Sequence, residues 1–207
     1  MHRARDSLVR APLQRVRARA GVPRGGAAGC FLTLRRAQGP HELDGFAAGY
    51  LAASGYRVDP GFLQRARVFV GVRDGRVVGG FVLNVAPPFR TLIRMPERDQ
   101  RRLAHEFPPD RTVELACVWL AKEARGRLCS ALLWSSLVWH ASRQRRQHVV
   151  FGTEVDRLRR YYERTGPRLL YEGEVRVDGR VRQGWIYSIL RRRWPYVLLR
   201  LVAPVRS

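Results

Sequence analysis

The middle of the chain carries an apolar run, a helix-length stretch and a second apolar run, in an order that few folds accommodate. Thr112–Leu120 (TVELACVWL) is nearly all apolar, as expected of a central strand that is covered on both faces. The stretch 126–142 contains no proline and has helical periodicity, and His148–Thr153 (HVVFGT) predicts a short buried strand. Because a helix separates the two strands, we predict that they are parallel neighbours joined by a right-handed crossover.

Two helices are predicted around the second strand. The crossover helix carries a wide apolar stripe, which we expect to lie against the sheet. The stripe comprises Leu128, Leu132, Leu133, Leu137 and Trp139. The next helix, in EVDRLRRYYERTG (154–166), places Val155, Leu158 and Tyr162 on one face, and Gly166-Pro167 is expected to stop it.

Two hairpins flank this central unit. Asp74-Gly75 and Asp178-Gly179 are dipeptides that a type I′ turn favours, and strand-like sequence lies on both sides of each. A helix is predicted ahead of the first hairpin, ending at Gly55, and another begins after Pro96. We therefore predict an α/β fold with a mixed sheet of about six to seven strands and flanking helices.

The chain is strongly basic, with 39 Lys and Arg residues against 17 acidic ones among 207, and a net charge of +22. Since Lys122 is the only lysine, nearly all of this charge is arginine, a bias that genomic composition also produces. We interpret most arginines as a solvated surface. The charge still attracts polyanionic or acidic partners, whatever its origin.

The cysteines and the composition of the chain ends bear on the cellular location of the protein. Cys30, Cys117 and Cys129 are odd in number and far apart, which predicts reduced thiols in the cytoplasm, with neither a disulfide nor a metal site. No apolar run reaches the roughly 18 residues that span a bilayer. The Arg-rich, acid-poor start fits a transit peptide, but we favour the alternative of a disordered tail or an over-extended start site.

These features divide the chain into three parts. We predict a basic, disordered tail over residues 1–29, one folded domain over 30–190 and a basic, apolar extension over 191–207. This extension, which together with Leu190 reads LRRRWPYVLLRLVAPVRS, is typical of a peripheral membrane-surface segment. A tail that covers the core is the alternative.

The segment Arg125–Ser130 opens the crossover helix directly after the central strand. A helix start presents unpaired N–H groups and the positive end of the helix dipole, which together favour anions. Gly126 lets a ligand approach the backbone closely, and Arg125 and Arg127 add positive charge. The residues alone leave two interpretations open, a phosphate-binding loop and a simple change of chain direction.

The order of elements resembles the GNAT superfamily of acyl-CoA-dependent N-acyltransferases, in which an Arg/Gln-x-x-Gly-x-Gly/Ala loop follows the fourth strand. Arg125 matches this loop, Leu128 replaces a glycine and Ser130 stands at the Gly/Ala position. RRYYERTG (159–166) is similar to the family's Tyr-Glu-Lys-x-Gly segment, and the Asp178-Gly179 hairpin falls where the family has its last two strands. The resemblance covers residues 30–190 and implies that the parallel central pair splays apart.

This resemblance implies a donor site at the splayed strands. CoA pyrophosphate would lie on the amides of Gly126 to Ser130, with pantetheine alongside Val118 to Leu120. The co-substrate would be acetyl-CoA or another acyl-CoA, the acceptor a small-molecule amine or amino acid, and attack would be direct in a ternary complex without a metal. Cys129 would then be a small buried residue of the loop and not a nucleophile.

Acyl transfer to an amine requires a base for its proton and an acid for the departing thiolate. Glu114 lies in an apolar strand where burial makes a carboxylate more basic, and the family often carries a base there. Tyr162 matches the family's tyrosine acid, with Tyr161 as the neighbour that could be confused with it. The alternatives are an arginine-paired carboxylate for Glu114 and core packing for Tyr162. Glu154 either faces the acceptor or caps the following helix.

One insertion, over 86–111, departs from the common family pattern. It is similar to the branch that includes acyl-homoserine-lactone and N-acyl amino acid synthases, which implies acyl carrier protein as an alternative donor. Acyl carrier proteins are acidic, so a basic surface suits them. The competing class is a non-catalytic nucleic-acid-binding protein. Scattered arginines and aromatic residues at core spacings argue against that class.

Overall fold

The computed structural model describes residues 32–194, 196, 197 and 200, so the predicted tail over 1–29 lies outside the described residues. Within them, the predicted strands and helices follow in the predicted order, together with two short helices over 60–65 and 90–93 that were not predicted. The strands are β1 (Thr33–Arg36), β2 (Arg67–Arg73), β3 (Arg76–Asn84), β4 (Thr112–Leu120), β5 (His148–Thr153), β6 (Arg168–Val177) and β7 (Arg180–Leu190). The helices are α1 (Pro40–Ser54), α2 (Pro60–Arg65), α3 (Arg90–Ile93), α4 (Glu97–Glu106), α5 (Arg127–Ser142) and α6 (Asp156–Glu163).

The seven strands form one mixed sheet in the order β1-β2-β3-β4-β5-β7-β6. β4 and β5 pair in parallel through the α5 crossover, and the other neighbouring strands are antiparallel. Both hairpin turns have positive φ angles at their Asp and Gly residues, which is the geometry of a type I′ turn. The predicted fold class is therefore confirmed, and the parallel pair lies at the centre of the sheet.

Helices cover both faces of the sheet. On one face, Leu133 and Leu137 of α5 pack against β3, β4 and β5 in the largest hydrophobic cluster. On the other face, α1 and α2 cover β2, β3 and β4, while α3 and α4 cover β5, β6 and β7. The two covers of this second face therefore meet near the line where β4 and β5 are neighbours.

The predicted stripe on α5 is wrong in three of its five positions. Leu133 and Leu137 are buried, but Leu128, Leu132 and Trp139 are 59%, 38% and 57% exposed. The face that meets the sheet follows the i, i+4 series from Cys129 through Leu133 and Leu137 to Ala141. A residue one position earlier on a helix is rotated by about 100°, so Leu128 and Leu132 point away from the sheet.

The predicted face of α6 is likewise only partly buried. Tyr162 lies in the core, whereas Val155 and Leu158 are 44% and 39% exposed. A short helix contacts a sheet through only a few of its residues, and in α6 the residue buried against β5 is Tyr162.

The described part of the C-terminal extension packs on the core. Trp194 and Val197 are each 2% exposed and belong to the same cluster as α5. This position favours the tail that covers the core over the membrane-surface segment. Among the described helices, none is long and apolar enough to cross a bilayer.

The cysteines differ from the expectation of three reduced thiols. Cys117 is free and buried, whereas Cys129 takes part in a disulfide bond. The prediction is therefore wrong for Cys129, and Cys30 lies outside the described residues. Disulfide formation depends on which Cβ atoms meet in space, and sequence spacing does not reveal this. The cytoplasmic location loses the support that reduced thiols gave it.

We predict that α1 tolerates an added methyl group at Gly45 but not at Gly49. A Cβ at Gly49 would lie 2.0 Å from Cη2 of the buried Trp119 ring, whereas one at Gly45 would lie 3.4 Å from Val77. Gly49→Ala should therefore lower the free energy of unfolding by about 1–3 kcal/mol. Gly45→Ala is the matched control and should raise it by up to about 1 kcal/mol through helix propensity. Denaturant titration of both variants measures the difference, and equal stabilities would contradict the packing of α1 on β4.

Candidate active site

The central parallel strands are paired over only half their length. Pairing runs from Thr112 with His148 to Glu114 with Val150 and stops there. β4 continues to Leu120 and β5 to Thr153, so their carboxyl halves part and leave a gap. A strand edge without a partner strand presents N–H and C=O groups that another extended chain can pair with.

A bulge in β4 lies beside this gap. The pairing of β3 with β4 shifts between Gly80 and Val82, which oppose Trp119 and Ala116. The extra residue falls at Cys117, whose φ of 51° is positive, an uncommon value for a non-glycine residue. Such bulges re-aim side chains and often lie next to active sites. Here the Cys117 side chain is directed into the cluster beneath α1.

The start of α5 opens beside the carboxyl ends of both strands. Gly126 is the N-cap residue, and no side chain caps the helix. A Cβ placed on Gly126 would meet nothing within 4 Å, and the residues from Arg125 to Leu128 are exposed. Fewer amides are available for a pyrophosphate than predicted, however, because the amides of Gly126 and Ser130 already donate to the carbonyl oxygens of Ala124 and Gly126. Helix geometry leaves the amides of Arg127 and Leu128 without intrahelical acceptors.

The Arg125 side chain reaches back to the end of β4 and is not directed only into solvent. Its Nε donates to the carbonyl oxygen of Leu120 at 3.0 Å. The amide of Ala121 donates to Val78 on the β3 side, so the backbone groups of Leu120 point to the opposite side, into the gap. Of the residues predicted to lie alongside pantetheine, Leu120 thus already accepts a hydrogen bond from Arg125 at its carbonyl oxygen, while Val118 is half-buried at the bulge.

Glu114 is fully buried at the point where β4 and β5 part. One carboxylate oxygen accepts from the amide of Arg90 at 2.9 Å and from Nδ2 of Asn84 at 3.0 Å. The other accepts from the amide of Thr91. Three donors thus bind this carboxylate and hold the start of α3 against β4.

Tyr162 and Tyr161 differ in position. Tyr162 is buried against Phe151, and burial raises its pKa well above the ordinary value, with Tyr50, Tyr161 and Glu154 raising it further. Tyr161 is half-buried and packs on Trp134. Of these neighbours, Tyr50 lies on α1, whereas Tyr161 and Glu154 lie on the same stretch of chain as Tyr162. Tyr162 is therefore the more deeply buried tyrosine of the pair.

No protein-family model matches the sequence, and no curated protein matches it significantly. The structure of FeeM, an N-acyl amino acid synthase from uncultured soil microbes, is similar with a TM-score of 0.60 and 14% identity, over 79% of this chain and 92% of FeeM. The ribosomal-protein-alanine N-acetyltransferase of Brucella melitensis gives 0.52 and 18%, over 77% of this chain and 99% of that one. A Bacillus subtilis acetyltransferase in complex with CoA gives 0.50 and 14%, over 77% and 98%.

The chain has the GNAT fold. The parted parallel pair, the bulge in the fourth strand and the start of the helix that follows lie next to one another in this fold. At these levels of identity the similarity establishes architecture, and the roles of individual residues rest on their own geometry.

Glu154 does not cap α6, which settles one of the two alternatives raised by the sequence. The N-cap of α6 is Val155, whose amide donates to Oγ1 of Thr153 at 3.1 Å. The Glu154 carboxylate instead pairs with Nη1 of Arg94 at 2.5 Å, and both side chains are more than four-fifths buried. This ion pair connects the end of β5 to the end of α3.

A cavity of about 510 Å³ lies between the insertion and the last hairpin. Arg94 belongs to its wall, together with apolar side chains and charged groups of both signs. The volume is within the range of small-molecule sites. Among the described residues, no group of three or more acidic, histidine or cysteine side chains is arranged to hold a metal.

Sequence reasoning missed Tyr50, Arg90, Arg94 and Cys117 as residues of this site. The signals were weak: a tyrosine on an otherwise apolar helix face, and two arginines four positions apart after a proline pair. Their meeting depends on the insertion folding over the sheet, and no local pattern encodes that.

We predict that Glu114 stabilises the fold. In Glu114→Gln an amide NH2 replaces one accepting oxygen and faces a backbone N–H, so the variant should lose about 3 kcal/mol of unfolding free energy. Glu97→Gln is the control, because Glu97 is 77% exposed in a surface ion pair and should change stability by less than about 0.5 kcal/mol. Thermal unfolding compares them. Unchanged stability of Glu114→Gln with lost turnover would instead support a catalytic base.

Proposed function

We propose that this chain is an N-acyltransferase that moves an acyl group from acyl-CoA to a primary amine by direct attack in a ternary complex. The observation that carries the proposal is the gap that opens after Glu114 and Val150, with the uncapped start of α5 beside it. The CoA complex of the Bacillus subtilis acetyltransferase, which shares the fold, supports CoA as the donor.

The donor would lie along this gap. Its pyrophosphate would accept from the first-turn amides of α5 at Arg127 and Leu128, where the helix dipole also favours an anion. The side chains of Arg125 and Arg127 would add charge, and Gly126 and Ser130 would shape the turn. The pantetheine amides would pair with the open edge of β4 at Val118 and Leu120, in competition with Arg125 for the Leu120 carbonyl.

Two groups would move the protons. The amine nitrogen forms a bond to the thioester carbonyl carbon, and the C–S bond then breaks to release the CoA thiolate. Glu154 is the base we assign to the amine, since it lies at the end of β5 and its carboxylate has one ion-pair partner. Glu114, which sequence analysis proposed for this role, becomes a positioning residue through its hold on α3. Tyr162 would protonate the thiolate.

Acyl carrier protein is a second candidate donor. The exposed arginines of a chain with a net charge of +22 favour an acidic protein partner electrostatically. The similarity to FeeM, an N-acyl amino acid synthase, supports the same extension of the proposal. Electrostatic docking of this kind weakens as salt rises, because exposed charges are screened.

The direct test of the proposal is calorimetric binding and product detection by mass spectrometry, with acetyl-CoA, a long-chain acyl-CoA and acylated acyl carrier protein. We expect binding of at least one donor and transfer of its acyl group to an amine. Polynucleotide binding with no affinity for any donor would favour the basic nucleic-acid-binding alternative.

We predict that Gly126→Asp weakens CoA binding at least tenfold relative to Gly126→Asn. Open space at Gly126 accommodates either side chain, and both residues are good N-caps, so both variants should fold as stably as the parent or better. Only Asp places a negative charge where the pyrophosphate would bind. Calorimetric titration with CoA measures the ratio, and equal affinities would contradict the placement of the phosphates.

We predict that Tyr162→Phe lowers kcat by about 100-fold and leaves CoA affinity unchanged, which is the lower range for loss of a general acid. Tyr161→Phe is the matched control and should retain most activity. Because burial raises the pKa of Tyr162 above its ordinary value, the hydroxyl stays protonated through the assay range, so its loss should scale kcat equally from pH 6 to pH 9. Steady-state profiles test this. A loss confined to alkaline pH would contradict it.

A further inference from the structure

Arg90 carries a guanidinium whose hydrogen-bonding capacity is largely unused. Its Nη1 donates to Sγ of Cys117 at 3.0 Å and its Nη2 to the carbonyl oxygen of Arg57 at 2.9 Å. A guanidinium has five N–H donors, and a thiol is a weak acceptor. No carboxylate of the described residues lies within ion-pair distance of Arg90.

The neighbouring carboxylates are occupied elsewhere. Glu114 accepts from two backbone amides and from Asn84, and Asp178 accepts from the amide of Arg57 at 2.8 Å. Glu154 is paired with Arg94. A half-buried cation without a paired anion is unfavourable, so this arrangement favours an anionic group supplied from outside.

Contacts place the Arg90 guanidinium on the face of the sheet away from α5. Arg57 belongs to the connection between α1 and α2, and its amide bonds the tip of the last hairpin at Asp178. Cys117 marks the bulge in the unpaired half of β4. The guanidinium therefore borders the gap from the face that α1 and α3 cover, opposite the helix proposed to bind the donor.

We propose that Arg90 binds a carboxylate of the acceptor, so that the acceptor is an amino acid or another small amino-carboxylate; this inference rests on the proposed acyl transfer. Arginine pairs with carboxylate through two parallel N–H···O bonds, which fixes orientation as well as affinity. Bound through its carboxylate, the acceptor keeps its amine free for attack, and Glu154 is the base proposed above for that amine. Polyamines and lysine-rich peptides are disfavoured, because Arg90 and Arg94 repel additional positive charge.

The electrostatics of the pocket agree with a permanently charged anchor. Burial acts to lower the pKa of Arg90, but neighbouring acidic groups, among them the carboxylates of Asp178 and Glu114, outweigh it, and the net pKa is raised. The pKa of Tyr50 beside it is raised to about 12 by burial, so Tyr50 remains a neutral hydroxyl and offers no counter-charge at neutral pH.

The test compares amino acids with the amines that lack only their carboxylate: phenylalanine with phenethylamine, tyrosine with tyramine and leucine with isopentylamine. Using whichever donor the chain accepts, we expect kcat/KM to favour the amino acid at least tenfold. Arg90→Gln should remove that preference mainly through KM and leave the amines within about twofold. Arg101→Gln, at an exposed residue of α4, is the charge-matched control and should retain the preference.

Equal loss for amino acids and amines in Arg90→Gln would overturn the inference and assign Arg90 to the donor or the fold. A wild-type preference for the amines would also overturn it. If Arg90→Gln does not fold, 3-phenylpropionate supplies a variant-free measurement: it has the carboxylate and no amine, so it should inhibit phenylalanine acylation competitively, and absence of inhibition would count against Arg90. Failure of every donor and acceptor would instead overturn the proposed acyl transfer itself.

Discussion

The buried carboxylate of Glu114 holds together the parts of this molecule on which the site depends. It lies at the last paired position of β4 and β5, and its three donors come from the start of α3 and from Asn84 at the end of β3. Burying an ionised carboxylate is costly unless hydrogen bonds replace its water, and two of these donors are backbone amides that have no other role in the short α3 helix. The insertion is thereby fixed to the sheet where the strands part, and Arg90 and Arg94 extend from that same helix toward the gap.

Where the two strands part, the backbone N–H and C=O groups on one edge of β4 have no partner strand. Residues of β4 beyond Glu114 pair with β3 on one side, while on the other side β5 has moved away. Buried backbone groups are rarely left unpaired, so something must satisfy this edge. Arg125 serves the Leu120 carbonyl, and the bulge at Cys117 turns the strand so that side chains and backbone present a different spacing. An extended ligand with its own amide groups is suited to pair with the backbone groups of β4 that remain.

The architecture was predictable from local patterns, whereas most of the site was not. Hairpins at Asp74-Gly75 and Asp178-Gly179 and the crossover through α5 follow from turn chemistry and hydrophobic periodicity, which act over a few residues. Leu128 and Leu132 show the limit of periodicity, because a stripe of suitable spacing does not fix which edge of it meets the sheet. The burial of Tyr162 could be predicted because its helix is regular. Arg90, Cys117 and Tyr50 come from an insertion, a bulge and a distant helix, and only tertiary packing brings them together.

Charge is distributed so that the two sides of the gap favour anions for different reasons. At the start of α5 the positive potential comes from backbone dipoles and exposed arginines, which suit a mobile polyanion that approaches from solvent. On the opposite face it comes from one half-buried guanidinium with fixed geometry, which suits a small planar anion. Glu154 supplies a buried negative charge just after β5, where it pairs with Arg94. The electrostatics therefore favour an acceptor that carries a carboxylate over one that carries only positive charge, because Arg90 has no paired anion whereas Glu154 is already paired with Arg94.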